Sequence, residues 1–182
     1  MKTHFDIEGI IESGIISNEL DYDRALIADR KLRLLAKEND HFKDLRFKLR
    51  NLIEQYEKLH WSKVDQIDDK QLEESDKSEQ IAKIETQFLD NRKKAIKEKL
   101  KEFDLTQENL ATLLGHKSKT HMSELINGIK PFTLKDLTII NRLLGIEISI
   151  LIPVFLTFEE SRRLRKVVEK LDKKKLQKVK IG

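Results

Sequence analysis

The chain has 182 residues, of which 38% are hydrophobic and 37% charged, with two prolines, six glycines and no cysteine. This composition is typical of a helix-rich chain with one large domain or two small ones, and it excludes disulfides and thiolate metal sites. The net charge of +4 conceals an asymmetry, because residues 1–90 carry 15 Lys+Arg and 21 Asp+Glu, a net −6, whereas residues 91–182 carry 21 and 11, a net +10.

The charge asymmetry has two interpretations. A basic half joined to an acidic half suggests two different partners, with nucleic acid the first candidate for the basic half. Solvated charged faces of helices would give the same composition. The N-terminus, in which acids interrupt the apolar residues, does not resemble a signal peptide, and the longest apolar run, residues 148–156, is too short to span a bilayer. We therefore expect a cytoplasmic protein with no membrane partner.

The first predicted elements in the chain are a turn and a helix. Residues 3–17 allow a small N-terminal β-hairpin, because apolar and polar residues alternate and Ser13-Gly14 suits a turn. Residues 19–37 predict a helix whose apolar residues lie along one side, and Asn39-Asp40 ends it.

The next predicted helix carries a narrow apolar stripe. The stripe advances in steps of three and four residues, a spacing that suits packing on another helix. Its positions are 42, 45, 49, 52, 56 and 59. An acidic connector, residues 62–77, separates this helix from a pattern that begins near Ser78. That pattern predicts one long helix, or two helices with a break near Asp90. We expect an all-α fold with a helical subdomain over residues 1–90.

Short capped helices are predicted after Phe103. Glycines at 115, 128 and 145 follow apolar-periodic segments, where a left-handed residue ends a helix. Thr106, Ser118 and Thr133 occupy N-cap positions, and Asp136 can complete a capping box with Thr133. The predicted helices are 92–103, 106–114, 118–127, 133–144 and a turn at 148–152. We place a compact domain at 91–156 and a basic helix with a lysine-rich tail, either solvated or in contact with DNA, at 157–182.

Helix 118–127 begins with polar and cationic residues, one turn before its first apolar residue. Apolar residues of 106–114 and of 118–127 are predicted to face each other. At about 100° per residue, the opposite face carries Thr120, Ser123, Glu124 and Asn127, with Ser118 and Lys119 at its exposed N-terminal end. A helix that enters the major groove needs such donors, acceptors and cations there, and its free N–H groups favour phosphate.

The segments "LTQENLATLLG" and "MSELINGIKPFTL" resemble the helix-turn-helix of the Xre/Cro-repressor family. The resemblance implies a five-helix DNA-binding domain in which Gln107 contacts phosphate, Asn127 closes the recognition helix, and four residues read bases. Those four are Ser118, Lys119, Thr120 and Glu124. Between Gly115 and Met122 there are six residues where the family pattern has five. The full set of candidate DNA-binding residues is Gln107, Lys117, Ser118, Lys119, Thr120, His121, Ser123, Glu124, Asn127 and Lys130.

Over most of the chain, the segments "LDYDRALIADRKLRLLAKE", "LIEQYEKLHW", "KSKTHMSELINGIKPFTLKDL" and "LIPVFL" resemble HigA-type antitoxins. This resemblance implies an antitoxin of a type II toxin–antitoxin system. Such a protein would bind and neutralise a small basic HigB-type ribonuclease toxin, form a homodimer, and repress its own operon by binding double-stranded operator DNA. Residues 1–90 would then bind toxin or dimerise.

Two alternatives stand beside this hypothesis. A plain Xre-family repressor would have no toxin partner and would use its N-terminal half for dimerisation or ligand sensing. An enzyme is not expected, because neither a glycine-rich phosphate loop nor a Ser/His/Asp arrangement is present. The histidines at 4, 41, 60, 116 and 121 lack a metal-binding spacing, so the sequence predicts neither a metal site nor a cofactor. His121, beside the groove face, could contact phosphate.

Overall fold

The computed structural model describes residues 6–37, 39–61, 69–153, 156, 158–171 and 173. All regular secondary structure in these ranges is helical, which confirms the predicted all-α class. The helices are α1 (Ile7–Ser13), α2 (Glu19–Leu35), α3 (Asp40–His60), α4 (Asp69–Glu102), α5 (Gln107–Leu114), α6 (Lys119–Asn127), α7 (Leu134–Leu144), α8 (Ile148–Leu151) and α9 (Phe158–Leu171).

The N-terminal segment forms helix α1, not the β-hairpin that its alternating pattern allowed. The Asp6 side chain accepts a hydrogen bond from the Gly9 N–H at 3.1 Å and caps the helix. Gly14, with a φ of +70°, ends it. Ile7 and Ile10 are both buried, and their spacing of three is helical. The hairpin expectation is therefore corrected for residues 6–17, and residues 3–5 lie outside the described part.

Helices α2, α3 and the first part of α4 pack together, and α1 packs on α3. The apolar stripe predicted on α3 is largely buried, but it drifts along the helix. Ile53 is buried, Leu52 is half-buried, and Leu59 is 78% exposed. The drift has a simple cause, since an α-helix repeats every 3.6 residues and a strict 3–4 stripe turns by about 20° per heptad. Tyr56, a predicted stripe position, is therefore the last core residue of α3, and Leu59 lies outside the core.

Helix α4 runs through Asp90 without a break, because its 34 residues include neither glycine nor proline. Its first part joins α2, where Arg24 Nε donates to Glu85 Oε2 at 2.7 Å. Its second part buries Ile96 and Leu100 and packs on α6, α7 and α8. The chain divides into two compact units, Met1–Leu151 and Ile152–Gly182. The expected boundary between residues 90 and 91 therefore falls inside one helix and one unit.

The short helices after Phe103 have the caps that the sequence predicts. Thr106 and Asn109 form a capping box at α5, and Thr133 and Asp136 form one at α7. The glycines after α5, α6 and α7 all have positive φ values, which are +82°, +70° and +64° in chain order. These caps define where each helix begins and ends.

The second unit contains α9, a helix with five Lys+Arg and three Asp+Glu. The lysine-rich tail expected at its end lies almost wholly outside the described residues. None of the helices in the described ranges is long and apolar enough to cross a membrane.

Candidate nucleic-acid interface

Helices α5 and α6 form the predicted pair, joined by a short link that begins at Gly115. Each helix buries three apolar residues. They are Leu110, Ala111 and Leu114 on α5 and Met122, Leu125 and Ile126 on α6. The Ser118 hydroxyl accepts a hydrogen bond from the His121 N–H at 3.1 Å and caps α6. Because Ser118 is the cap, the link is Gly115 to Lys117, and the helix begins at Lys119.

The N-terminal end of α6 is open to solvent. Lys117, Ser118 and Lys119 are exposed, and Lys119 Nζ lies 2.6 Å from Glu108 Oε1 in an ion pair whose two side chains are mostly exposed. Such a pair contributes little and exchanges readily for a phosphate. This end therefore combines two cations with the positive end of the helix dipole.

The sequence suggests that Glu124 lies on an exposed face of α6, but the structure buries it. Its side chain is 3% exposed, and its two carboxylate oxygens are occupied by neighbours. Burial opposes its ionisation, but hydrogen bonds from His41, Lys130 and His121 outweigh burial and lower the pKa. His41 Nε2 lies 2.6 Å from Oε1, and Lys130 Nζ lies 3.1 Å from Oε2. In this arrangement Glu124 cannot reach a base, so its expected exposure is corrected.

Thr120 is also contacted by the N-terminal helices. Asn39, the N-cap of α3, donates from Nδ2 to the Thr120 hydroxyl at 3.1 Å. On the adjoining side, Lys130 Nζ lies 2.7 Å from Glu8 Oε2. The start of α1 and the loop after α6 meet through a hydrogen bond from the Ile7 N–H to the Ile129 carbonyl at 3.3 Å. Helices α1 and α3 thus cover one side of α6.

The remaining candidates lie along the open side of α6 and at the start of α5. Ser123 and Asn127 are half-buried, and Lys93 Nζ donates to Asn127 Oδ1 at 2.7 Å. Gln107 is half-buried at the first turn of α5 and lines a groove with Lys97 and Lys101 of α4. The open side therefore gathers cations from α4 beside two predicted contact residues.

His121 belongs to the covered side, since its Nδ1 lies 3.3 Å from Glu124 Oε2. The residues that cover α6, namely Glu8, Asn39 and His41, were not among the candidates. No short motif could have indicated them, because they lie about 80 or more positions before their partners. Asn39 had a signal of its own, as an N-cap residue directly before a helix.

Residues 96–151 match the family model described as "Helix-turn-helix". The match begins inside α4 and ends with α8, and it covers under a third of the chain. No curated protein and no solved structure matches the chain significantly. The fold, the capped α5–α6 pair and this match define a helix-turn-helix domain of the Xre/Cro type, a domain of DNA-binding transcription regulators.

Proposed function

We propose that the chain is an autoregulating antitoxin, in which the helix-turn-helix domain binds operator DNA and the N-terminal helices bind a small basic ribonuclease toxin. The DNA-binding surface would be the open side of α6 with the start of α5, extended to Thr120 when α1 and α3 leave the covered side. Lys117, Ser118 and Lys119 would contact phosphates and base edges at the groove entrance. Gln107 would contact a phosphate of the DNA backbone.

The observation that carries the toxin proposal is a buried acidic pair in α2. Glu19 and Asp23 are each 8% exposed. Among the described residues, Glu19 Oε1 and Asp23 Oδ2 have no hydrogen-bond partner. Burial raises the pKa of Asp23 to about 6, with further contributions from Glu19 and Glu79. A buried carboxylate oxygen without a donor is unfavourable, and a partner that displaces the surrounding side chains would bring a cationic side chain to it.

The surroundings of this pair fit a basic protein partner. Glu57 accepts a hydrogen bond from the Tyr22 hydroxyl, and Glu19 accepts one from Tyr56. These bonds hold the tyrosines beside the carboxylates. The net charge of −6 over residues 1–90 would steer a basic ribonuclease towards this half and away from the +10 half.

Repression of the operon would require a homodimer on an inverted repeat, since one recognition helix contacts few base pairs. The contacts of α1 and α3 with α6 would connect the two activities. The N-terminal helices either cover one side of α6 or leave it open. A partner that binds one of these two arrangements more tightly would change the fraction of chains in which that side is open.

The test uses the full chain and the product of the adjacent reading frame. The chain should restore growth when that product is induced, and the two purified proteins should form a complex. The double variant Glu19→Gln with Asp23→Asn should fail to restore growth and bind at least tenfold more weakly. Glu54→Gln, which removes an exposed carboxylate on α3, should behave as wild type. An adjacent frame without a basic ribonuclease-like product, or full neutralisation by the double variant, would contradict the toxin role.

A plain repressor is the second candidate, and the contacts between α3 and α6 favour it. They offer a direct path by which dimerisation or a ligand at the N-terminal helices would control DNA binding without any toxin. Operator binding by the wild-type chain, together with no binding of that chain to the neighbouring product, would support this candidate.

A further inference from the structure

Three side chains from distant parts of the chain converge where α1 and α3 meet α6. The potential ligand atoms of Glu8, His41 and Glu124 all lie within 4.8 Å of one another. His41 Nε2 is 2.6 Å from Glu124 Oε1 and 3.9 Å from Glu8 Oε1. These atoms come from three separate helices, so any ion bound among them would connect those helices.

We propose that Glu8, His41 and Glu124 form a binding site for a divalent transition-metal ion, with Zn²⁺ as the appropriate probe. An imidazole nitrogen with two carboxylates suits zinc, copper or nickel, whereas magnesium and calcium prefer oxygen ligands alone. Zinc binds such atoms at about 2.0–2.2 Å, so neighbouring ligands in a tetrahedral site lie roughly 3.3–3.5 Å apart. The two observed distances from His41 bracket that value.

A route of entry to the cluster is present. His121 Nδ1, 3.3 Å from Glu124 Oε2, borders the three ligands without being one of them. A cavity of about 180 Å³ adjoins the cluster and is lined by Glu8, His121 and Lys130, among others. It is large enough for a hydrated ion to approach, or for water to complete the coordination.

Burial favours a defined site over a loose surface cluster. The Glu124 side chain is 3% exposed, whereas those of Glu8 and His41 are 25% and 40% exposed. One ligand is therefore held by packing, and the other two can adjust by the few tenths of an ångström that coordination requires.

Lys130 is the main competitor, because its ammonium group already neutralises two of the acids. Its Nζ lies 2.7 Å from Glu8 Oε2 and 3.1 Å from Glu124 Oε2. The oxygens that it contacts are not those nearest His41, which are the Oε1 atoms of both glutamates. An ion can bind the Oε1 atoms while Lys130 keeps the Oε2 atoms oriented, as hydrogen-bonded neighbours of ligating carboxylates do.

The test is calorimetric titration of the metal-free full chain with Zn²⁺, without DNA or any partner protein. Wild type should bind one ion per chain and melt at a higher temperature with zinc present. His41→Ala and Glu8→Gln should each weaken binding by roughly 10–100-fold or more. His60→Ala is the matched control, since it removes an exposed histidine from the other end of α3.

Circular dichroism of His41→Ala and Glu8→Gln tests whether they keep the helical fold. Failure of wild type to bind zinc would overturn the proposal, as would equal affinity in wild type, His41→Ala and Glu8→Gln. Neither result bears on operator or toxin binding, so the site stands or falls separately from the proposed function.

Discussion

His41 Nε2 lies 2.6 Å from Oε1 of Glu124, although 83 positions separate the two residues. The contact joins the first turn of α3 to the middle of α6. With the hydrogen bond from Asn39 to Thr120, it holds the N-terminal helices against one side of the recognition helix. DNA that requires this side would bind only chains in which it is open, and the measured affinity would fall in proportion to their fraction.

Removing these contacts should tighten operator binding. The double variant Asn39→Ala with His41→Ala loses one neutral and one charge-assisted hydrogen bond, worth about 1–3 kcal/mol together. Each 1.4 kcal/mol changes the closed-to-open ratio about tenfold. Fluorescence anisotropy with labelled operator, in buffer with a chelator, should show several-fold tighter binding by the double variant. The control variant His60→Ala should bind operator with the affinity of wild type. Weaker binding by the double variant would mean that DNA binds the closed arrangement.

Lys119 and Thr120, neighbours in α6, should affect DNA binding differently. Lys119→Ala removes an exposed cation and should weaken binding to all sequences, with a salt slope lower by about one. Thr120→Ala should change discrimination between operator and scrambled DNA by about 1–3 kcal/mol. Lys48→Ala, an exposed lysine on α3, is the control. If Thr120→Ala weakened binding to operator and to scrambled DNA equally, as Lys119→Ala is expected to do, the assignment of Thr120 to base contact would be refuted.

Local patterns predicted the helix-turn-helix pair well, and distant contacts account for what they missed. Thr106, Ser118 and Thr133 act within three residues of their own positions, so their capping roles could be inferred from spacing alone. The burial of Glu124 depends on His41, which belongs to another helix, and no periodicity in α6 contains that information. The same reason explains why Glu8 was not associated with Lys130.

Gly128 should tolerate alanine less well than Gly115. Both have positive φ values, +70° and +82°, where an alanine is strained by about 1 kcal/mol. A Cβ at Gly115 would meet nothing within 4 Å, whereas one at Gly128 would lie 3.0 Å from Leu89 Cδ1. Chemical denaturation should therefore show a loss of about 1 kcal/mol for Gly115→Ala and roughly 2–3 kcal/mol for Gly128→Ala. Equal losses would mean that Leu89 moves aside without cost.

Asp23→Asn should stabilise the chain above neutral pH. The folded-state pKa of about 6 exceeds the ordinary value of 3.8, so folding disfavours the ionised carboxylate. That penalty is complete above pH 6 and disappears as the pH falls through about 4. Two pKa units correspond to roughly 3 kcal/mol, and the unpartnered amide reduces the net gain to about 1–2 kcal/mol. Urea denaturation should show this gain at pH 8 and none at pH 4. A gain that does not vary with pH would contradict the ionisation argument.

Arg92 is a buried cation of α4 that contacts Phe132 and Leu151, and its volume should matter more than its charge. It is 2% exposed, its guanidinium carbon lies 5.2 Å from the Phe132 ring centre, and its Nη1 donates to the Leu151 carbonyl at 3.4 Å. Arg92→Met keeps most of the side-chain volume and removes the desolvation penalty, so it should change stability by less than about 1 kcal/mol. Arg92→Ala should lose about 2–4 kcal/mol.

Burial lowers the pKa of Arg92 to about 10. The free-energy penalty for burying the charge is therefore constant below pH 9 and would decrease only above about pH 10. Thermal unfolding from pH 6 to 9 should then show a constant difference between wild type and Arg92→Met. If Met destabilises as much as Ala, the interactions of the cation with Phe132 and Leu151 outweigh packing.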